Sequence, residues 1–331
     1  MPTALPAPDR ETDLLDWRPR NRPPLRVILA APRGFCAGVE RAIQAVEEAL
    51  RRFGAPVYVR RPIVHNQAVM KRLEAQGAIF VQELEEVPEG SVVLFSAHGV
   101  TPAIAEQAAS RSLAAFDAVC PLVAKVHREV IRHHREGRHI VLIGHSGHPE
   151  VEGTIGQLPR GAISLVHSAG QVADLSLLRS APVAYAIQTT FSIGEAAEVV
   201  EALRERFDDV AAPPGSDICY ATTNRQAALG AIAGEADAVI VAGASFSSNA
   251  NRLAELARDA GCRSVQLVAE AREIDWDLLG QARTLGLTAA ASTPEESVSE
   301  ILVALAGRFE VAIEERRQLE EKTVFRPLKL A

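Results

Sequence analysis

The stretch "RVILAAPRGFCAGVERAI", residues 26–43, carries the unit from which the fold is read. Residues 26–31 form a short apolar run of strand type, Pro32-Arg33-Gly34 is a turn, and a helical period follows. Val39, Ile43, Val46, Leu50 and Phe53 fall at i, i+4, i+7, i+11 and i+14, one face of that helix. Strands that alternate with helices in this way build parallel sheets covered by helices. Cys36 stands at the junction, where a strand hands over to a helix N-terminus.

The same arrangement occurs twice more. "FDAVCPLVAKVHREV" brings Cys120 to the start of a helix, and "SDICYATTNRQAAL" does so for Cys219. Pro121 suits a first helical turn, and Thr222 or Thr223 is expected to cap the third helix. One cysteine per α/β unit predicts a site where three units meet, and the partial positive charge of each helix N-terminus is expected to favour the thiolate. Cys262, in "RDAGCRSVQLV", lacks this context and reads as packing.

Further strands are expected near 92–97, 139–143, 182–187, 238–242, 264–268 and 284–289. Residues 1–24, rich in Pro, Asp and Arg without apolar periodicity, read as a flexible extension. The 331 residues are 47% hydrophobic, ample for several cores. A net charge of −7 without a long Lys/Arg run argues against extended contact with nucleic acid or anionic membrane. No apolar run approaches the roughly 18–20 residues of a membrane span, and the N-terminus lacks a signal pattern, so a cytoplasmic protein with a small ligand is expected.

Three remote thiols without a Cys-x-x-Cys pair fit neither structural zinc nor closely spaced cluster motifs. They suit an iron–sulfur cluster with one iron free of protein ligand, able to serve as Lewis acid and electron donor together. Polar residues gather at the strand ends, where open α/β sheets bind ligands. These are His65 and Asn66 in "RRPIVHNQAV", His98 in "VVLFSAHGVTP", and His145, His148 and Glu150 in "IVLIGHSGHPEVEGT". Gln188, Thr189 and Thr190 follow in "AYAIQTTFS", then Ser247, Ser248 and Asn249 in "IVAGASFSSNANRL", and Ser292 in "GLTAAASTPEES". The last two stretches open helices and are candidate anion sites. Glu150, in a Gly-flanked loop, would donate a proton if burial raised its pKa toward neutrality.

The ordered set "RGFCAGVERAI", "VHN", "SAHGV", "CPLVAKVH", "GHPEVEGT", "QTT", "ICYATTNRQ", "SSNANRL" and "AST" resembles the LytB/IspH family of 4-hydroxy-3-methylbut-2-enyl diphosphate reductases, from about Arg26 to Leu305. The resemblance implies a trefoil of three pseudo-repeated α/β domains with parallel sheets around a central 4Fe-4S cluster. Cys36, Cys120 and Cys219 would hold that cluster, its fourth iron open to substrate. The implied division is 38–120, 121–215, and 25–37 with 216–307, followed by a C-terminal tail, 308–331. Implied substrate contacts are His65, His98, His148, Thr189, Ser247, Ser248, Asn249 and Ser292, with Glu150 and Thr189 catalytic. The implied reaction is reductive dehydroxylation of an allylic diphosphate to isopentenyl and dimethylallyl diphosphate, the last step of the methylerythritol phosphate route. Electrons would come from ferredoxin or flavodoxin, since no Gly-x-Gly-x-x-Gly fingerprint is present.

Three positions depart from the family pattern. Phe246 replaces a polar residue before Ser-Ser-Asn, Ala290 places a methyl where glycine is common, and Ile187 precedes Gln-Thr-Thr. A related allylic diphosphate as substrate, or a cluster protein that senses iron or redox state, are the alternatives these residues leave open.

Overall fold

A computed structural model of the protein describes residues 22–330. The extension expected over residues 1–24 therefore lies, but for its last residues, outside the described part. The described part begins with β1 (Pro24–Ala31), passes Cys36 and enters α1 (Ala37–Phe53). A first group follows: β2 (Val57–Arg60), α2 (Gln67–Ala75), β3 (Ala78–Val81), β4 (Val92–Phe95), α3 (Pro102–Ser110) and β5 (Ala114–Asp117). After Cys120 come α4 (Pro121–Arg135), β6 (His139–Ile143), α5 (Pro149–Ile155), β7 (Ile163–Val166), α6 (Ala169–Val172), β8 (Val183–Ile187), α7 (Ile193–Arg206) and β9 (Val210–Ala211). Cys219 opens the last group, α8 (Tyr220–Ala233), β10 (Ala238–Ala242), α9 (Ser248–Asp259), β11 (Ser264–Val268), β12 (Thr284–Ala289), α10 (Glu295–Arg308) and β13 (Glu310–Arg317).

The protein is α/β, with three sheets whose strand pairs are all parallel among the described residues. Their orders are β3-β2-β4-β5, β7-β6-β8-β9 and β11-β10-β12-β1-β13. Counted within its own group, each sheet runs second, first, third, fourth. In the third sheet the N-terminal strand β1 takes the fourth place.

This topology makes each cysteine a crossing point. The strand before it belongs to one sheet and the helix after it packs on the next. From α1, Ala42 and Val46 pack with Val57 and Val59 of the first sheet. From α4, Val126 and Val130 pack with Ile140 and Leu142 of the second. From α8, Leu229 and Ile232 pack with Ile28 and Val239 of the third. Each such buried side chain contributes about 1.5–3 kcal/mol, so the crossings are held by cores on both sides. The expected stripe on α1 is turned slightly. Ala42, Ala45 and Ala49 join Ile43 and Val46 in the buried face, while Phe53 is exposed and stacks on Phe116 at 5.5 Å.

Residues 308–331, expected as a tail, contribute a strand instead. β13 pairs with all of β1, from Pro24↔Glu310 to Ala31↔Arg317. Its charged side chains hid a strand held by backbone hydrogen bonds at a sheet edge, where polar residues are tolerated. Beyond it the chain crosses to the first sheet, where Leu330 is buried in the core with Val57 and Ile63.

Candidate active site

Six loops at the C-terminal ends of strands close around one cavity of about 100 Å³. They follow β2 and β4, β6 and β8, and β10 and β12, the first and third strands of each sheet. In a second-first-third order those strands flank the point where the chain reverses direction, the usual ligand crevice of open α/β sheets. His65, His98, His148, Glu150, Thr189, Ser247, Ser248, Asn249 and Ser292 all line the cavity, together with Cys36, Cys120 and Cys219. His145 does not join them, because its ring packs on Phe191 with centroids 4.8 Å apart.

The thiol side is built three times in one way. Each cysteine is the N-cap of its helix. Each cysteine N–H donates to the loop after the third strand of its sheet. Cys36 reaches Ala291 O at 3.1 Å, Cys120 reaches Ala97 O at 2.9 Å and Cys219 reaches Thr189 O at 3.0 Å. Gly34, in the turn before Cys36, has φ +72°, a conformation that glycine adopts without strain. Thr222 is not the expected cap. Its hydroxyl lies 3.2 Å from Cys219 Sγ and its N–H donates to that sulfur.

Burial acts on the thiols against the helix N-termini. Burial pushes the Cys120 thiol up to about 12, that of Cys219 to about 11, and that of Cys36 upward as well. Loss of hydration outweighs the helix N-terminus, so the thiols are neutral until a bound cation draws off their protons. Among the described residues no three His, Cys, Asp or Glu side chains gather around a single ion position. A Cβ at Gly38 would nevertheless meet Cys120 Sγ at 2.8 Å and Cys36 Sγ at 3.8 Å. Three thiols facing one cavity, with a glycine leaving the space beside two of them open, would suit a polynuclear group.

The polar side differs from loop to loop. His65 lies 4.2 Å from His98 and 5.4 Å from His148, centroid to centroid. Burial lowers His65 to about 4 and His148 to about 3, and lowers His98 well below the usual value, so all three rings are neutral. His148 Nδ1 accepts from Glu150 N–H at 3.2 Å, which leaves its proton on Nε2. Both ring nitrogens of His65, Nε2 of His148 and Nδ2 of Asn249 are buried without a partner. Buried donors are rarely left so, and here they converge on one cavity that has no Lys or Arg in its lining.

Glu150 sits in the first turn of α5 rather than in a loop and is 3% exposed. Its Oε1 accepts from Thr189 N–H at 2.6 Å and its Oε2 from the Thr189 hydroxyl at 2.8 Å. Burial outweighs these bonds and raises its pKa to about 7. Thr190 donates to Ser248 at 3.1 Å, Ser292 donates to His65 O at 3.0 Å, and Ala291 N–H donates to Asn249 Oδ1 at 2.9 Å.

Of the departing positions, Ala290 is unstrained. It is absent from the positive-φ residues, and Gly243 leaves room for its methyl, which a Cβ there would meet at 3.1 Å. Phe246 is 47% exposed and sets its ring edge-on to His65 at 5.7 Å. Apolar lining residues such as Val64, Leu122 and Val123 were not foreseen, since nothing distinguishes them in sequence from core residues.

The family description "LytB protein" matches residues 27–306. A 4-hydroxy-3-methylbut-2-enyl diphosphate reductase of Gluconobacter oxydans is 54% identical over 91% of this chain and 91% of its own length. One from Beijerinckia indica is 52% identical over 92% of this chain and 96% of its own. The solved structure of the E-1-hydroxy-2-methyl-but-2-enyl-4-diphosphate reductase from Plasmodium falciparum superposes with a TM-score of 0.88 at 37% identity, covering 92% of this chain and 96% of that one.

Proposed function

This chain belongs to the LytB protein family, and from that premise we propose how its cavity works. The protein is an oxidoreductase that converts 4-hydroxy-3-methylbut-2-enyl diphosphate to isopentenyl and dimethylallyl diphosphate. One C–O bond breaks and one C–H bond forms. Two electrons and two protons are consumed, and water leaves.

In our reading Cys36, Cys120 and Cys219 hold a 4Fe-4S cluster, with the fourth iron left to the substrate. When bound, the cluster supplies reducing electrons one at a time and a Lewis acid beside the substrate's hydroxyl. The protein supplies the rest. Neutral His65, His98 and His148, the hydroxyls of Ser247, Ser248 and Ser292, and the Asn249 amide bind the diphosphate. The carrying observation is the set of buried, unpartnered donors on His65, His148 and Asn249, which a phosphate oxygen would satisfy.

Glu150 is the acid. Protonated, its Oε2–H donates to Thr189, whose own proton then points into the cavity toward the leaving oxygen. Domain boundaries in this reading follow the sheets: 38–120, 121–215, and 25–37 with 216–317. Ferredoxin or flavodoxin in the cytoplasm delivers the electrons. Among the described residues no helix is long and apolar enough to cross a membrane.

The test is anaerobic oxidation of a reduced viologen by the reconstituted protein, with and without 4-hydroxy-3-methylbut-2-enyl diphosphate. Substrate-dependent oxidation of order 1 per second or faster is expected. A protein with its full iron and sulfide that shows none would overturn the assignment.

A further inference from the structure

The cysteine-headed helices carry a second repeat that the proposed chemistry does not use. Arg41 stands five residues after Cys36, Lys125 five after Cys120, and Arg225 six after Cys219. Each cation lies on the helix that covers one sheet and reaches the loop by which the chain leaves that sheet for the next cysteine. Arg41 Nη1 donates to Val119 O at 3.0 Å and Ala118 O at 3.3 Å, the two residues before Cys120. Lys125 Nζ donates to Ser216 O at 2.9 Å, Gly215 O at 3.4 Å and Asp217 Oδ1 at 3.1 Å, on the approach to Cys219. Arg225 donates twice to Gly34 O, at 2.7 and 3.1 Å, and to Phe35 O at 3.2 Å, the two residues before Cys36. The circuit closes. The first helix holds the second thiol's loop, the second holds the third's, and the third holds the first's.

Two of the three loops follow weakly held strands. Cys120 follows β5, whose four residues are mostly exposed, and Cys219 follows β9, which is only two residues long. Edge strands with few buried contacts open locally at little cost. Carbonyls held by a cation from the helix on the same sheet receive charge-assisted hydrogen bonds, the stronger kind. Arg225 is itself fully buried and shares its charge with Glu321, while Lys125 shares its charge with Asp217.

We propose that Arg41, Lys125 and Arg225 are positioning residues that form a closed ring of clasps, each fixing the loop that delivers the next cysteine to the shared centre. The proposal rests on the assignment of the three cysteines as cluster ligands, but its first readout needs no cluster. In the full-length, metal-free, reduced protein, iodoacetamide labelling of each cysteine is followed by peptide mass spectrometry. Arg41→Met is expected to speed labelling of Cys120 at least fivefold while Cys219 stays within twofold of wild type. Lys125→Met is expected to do the same to Cys219 and spare Cys120. The milder Arg225→Lys, chosen because the site is buried, raises Cys36 labelling less. Arg41→Lys and Lys125→Arg should restore most of the protection.

A uniform rise at all three cysteines, or no change at any, overturns the clasps. In reconstituted protein, Arg41→Met should also alter the electron paramagnetic resonance line shape of the reduced cluster and speed iron loss to a chelator about tenfold. If wild-type protein takes up no iron and sulfide, the ligand assignment fails, and the labelling pattern still decides the clasps.

Discussion

The two sides of the cavity come from different ends of the same repeated unit. The thiol side uses the loop after the fourth strand, and all three copies match: cysteine as N-cap, a backbone bond to the loop after the third strand, and a cation from the preceding helix. The polar side uses the loops after the first and third strands, and no two copies match. His65 and His98 come from one sheet, His148, Glu150 and Thr189 from the next, and Ser247, Ser248, Asn249 and Ser292 from the last. A compact inorganic group asks the same of every sheet that approaches it. A substrate with a hydroxyl at one end and a diphosphate at the other asks something different of each.

That contrast can be broken or sharpened by substitution. The largest effects belong to the repeated side: Cys36→Ser, Cys120→Ser and Cys219→Ser should each reduce iron content and turnover to background, without regard to which sheet is changed. Gly38→Ala should lower iron content too, since its methyl would stand 2.8 Å from Cys120 Sγ. A cysteine variant that keeps full cluster and rate would end the equivalence.

On the other side, losses should be unequal. Glu150→Gln should keep the cluster and cut turnover by about 10² to 10⁴, the range of general acid catalysis. With its pKa held near 7 by burial, the Glu150 acid form is present below that pH and disappears above it. Turnover of wild type should therefore fall by about tenfold per unit on the alkaline side. A profile that the Gln variant leaves unchanged would remove Glu150 from the proton path.

If Asn249 donates to the diphosphate as proposed, Asn249→Ala should raise KM about tenfold, the equivalent of roughly 1.4 kcal/mol for a hydrogen bond, with kcat nearly kept. Phe246→Ser should matter least. An edge-on ring contact is worth about 0.5–1.5 kcal/mol, so steady-state parameters should stay within roughly threefold to tenfold. A larger gain or loss, measured with the same substrate, would mean that Phe246 selects the ligand.

Legibility followed the same divide. The thiol side could be read because its context recurs: strand, turn, cysteine, helix. Buried strands such as β6, β10 and β12, and the edge strand β11, stood where apolar runs predicted them. Strands β5 and β9 escaped notice because one is mostly exposed and the other has two residues, so neither leaves an apolar pattern. Residues of β13 read as a tail for a related reason, since ladder hydrogen bonds leave no mark on composition. The burial of the Cys36, Cys120 and Cys219 sulfurs escaped the reading, because a helix N-terminus is visible in sequence whereas the dry surroundings of a sulfur are not. The contacts of Arg41, Lys125 and Arg225 depend on how each helix lies across its own sheet and its exit loop, although basic residues at nearly the same distance from each cysteine were there to be noticed.

The place of β1 in the third sheet bears on how the protein is made. The earliest of the described strands, it lies between β12 and β13, with Arg26 beside Thr284 and Ala312. At translation rates of about 5–20 residues per second, those partners leave the ribosome roughly 10–60 s after β1. Over that interval the nascent chain has no sheet to seat the strand that carries Cys36. A chain cut short before β12 therefore has at most two of the three cysteine loops seated, and the cavity between them stays incomplete.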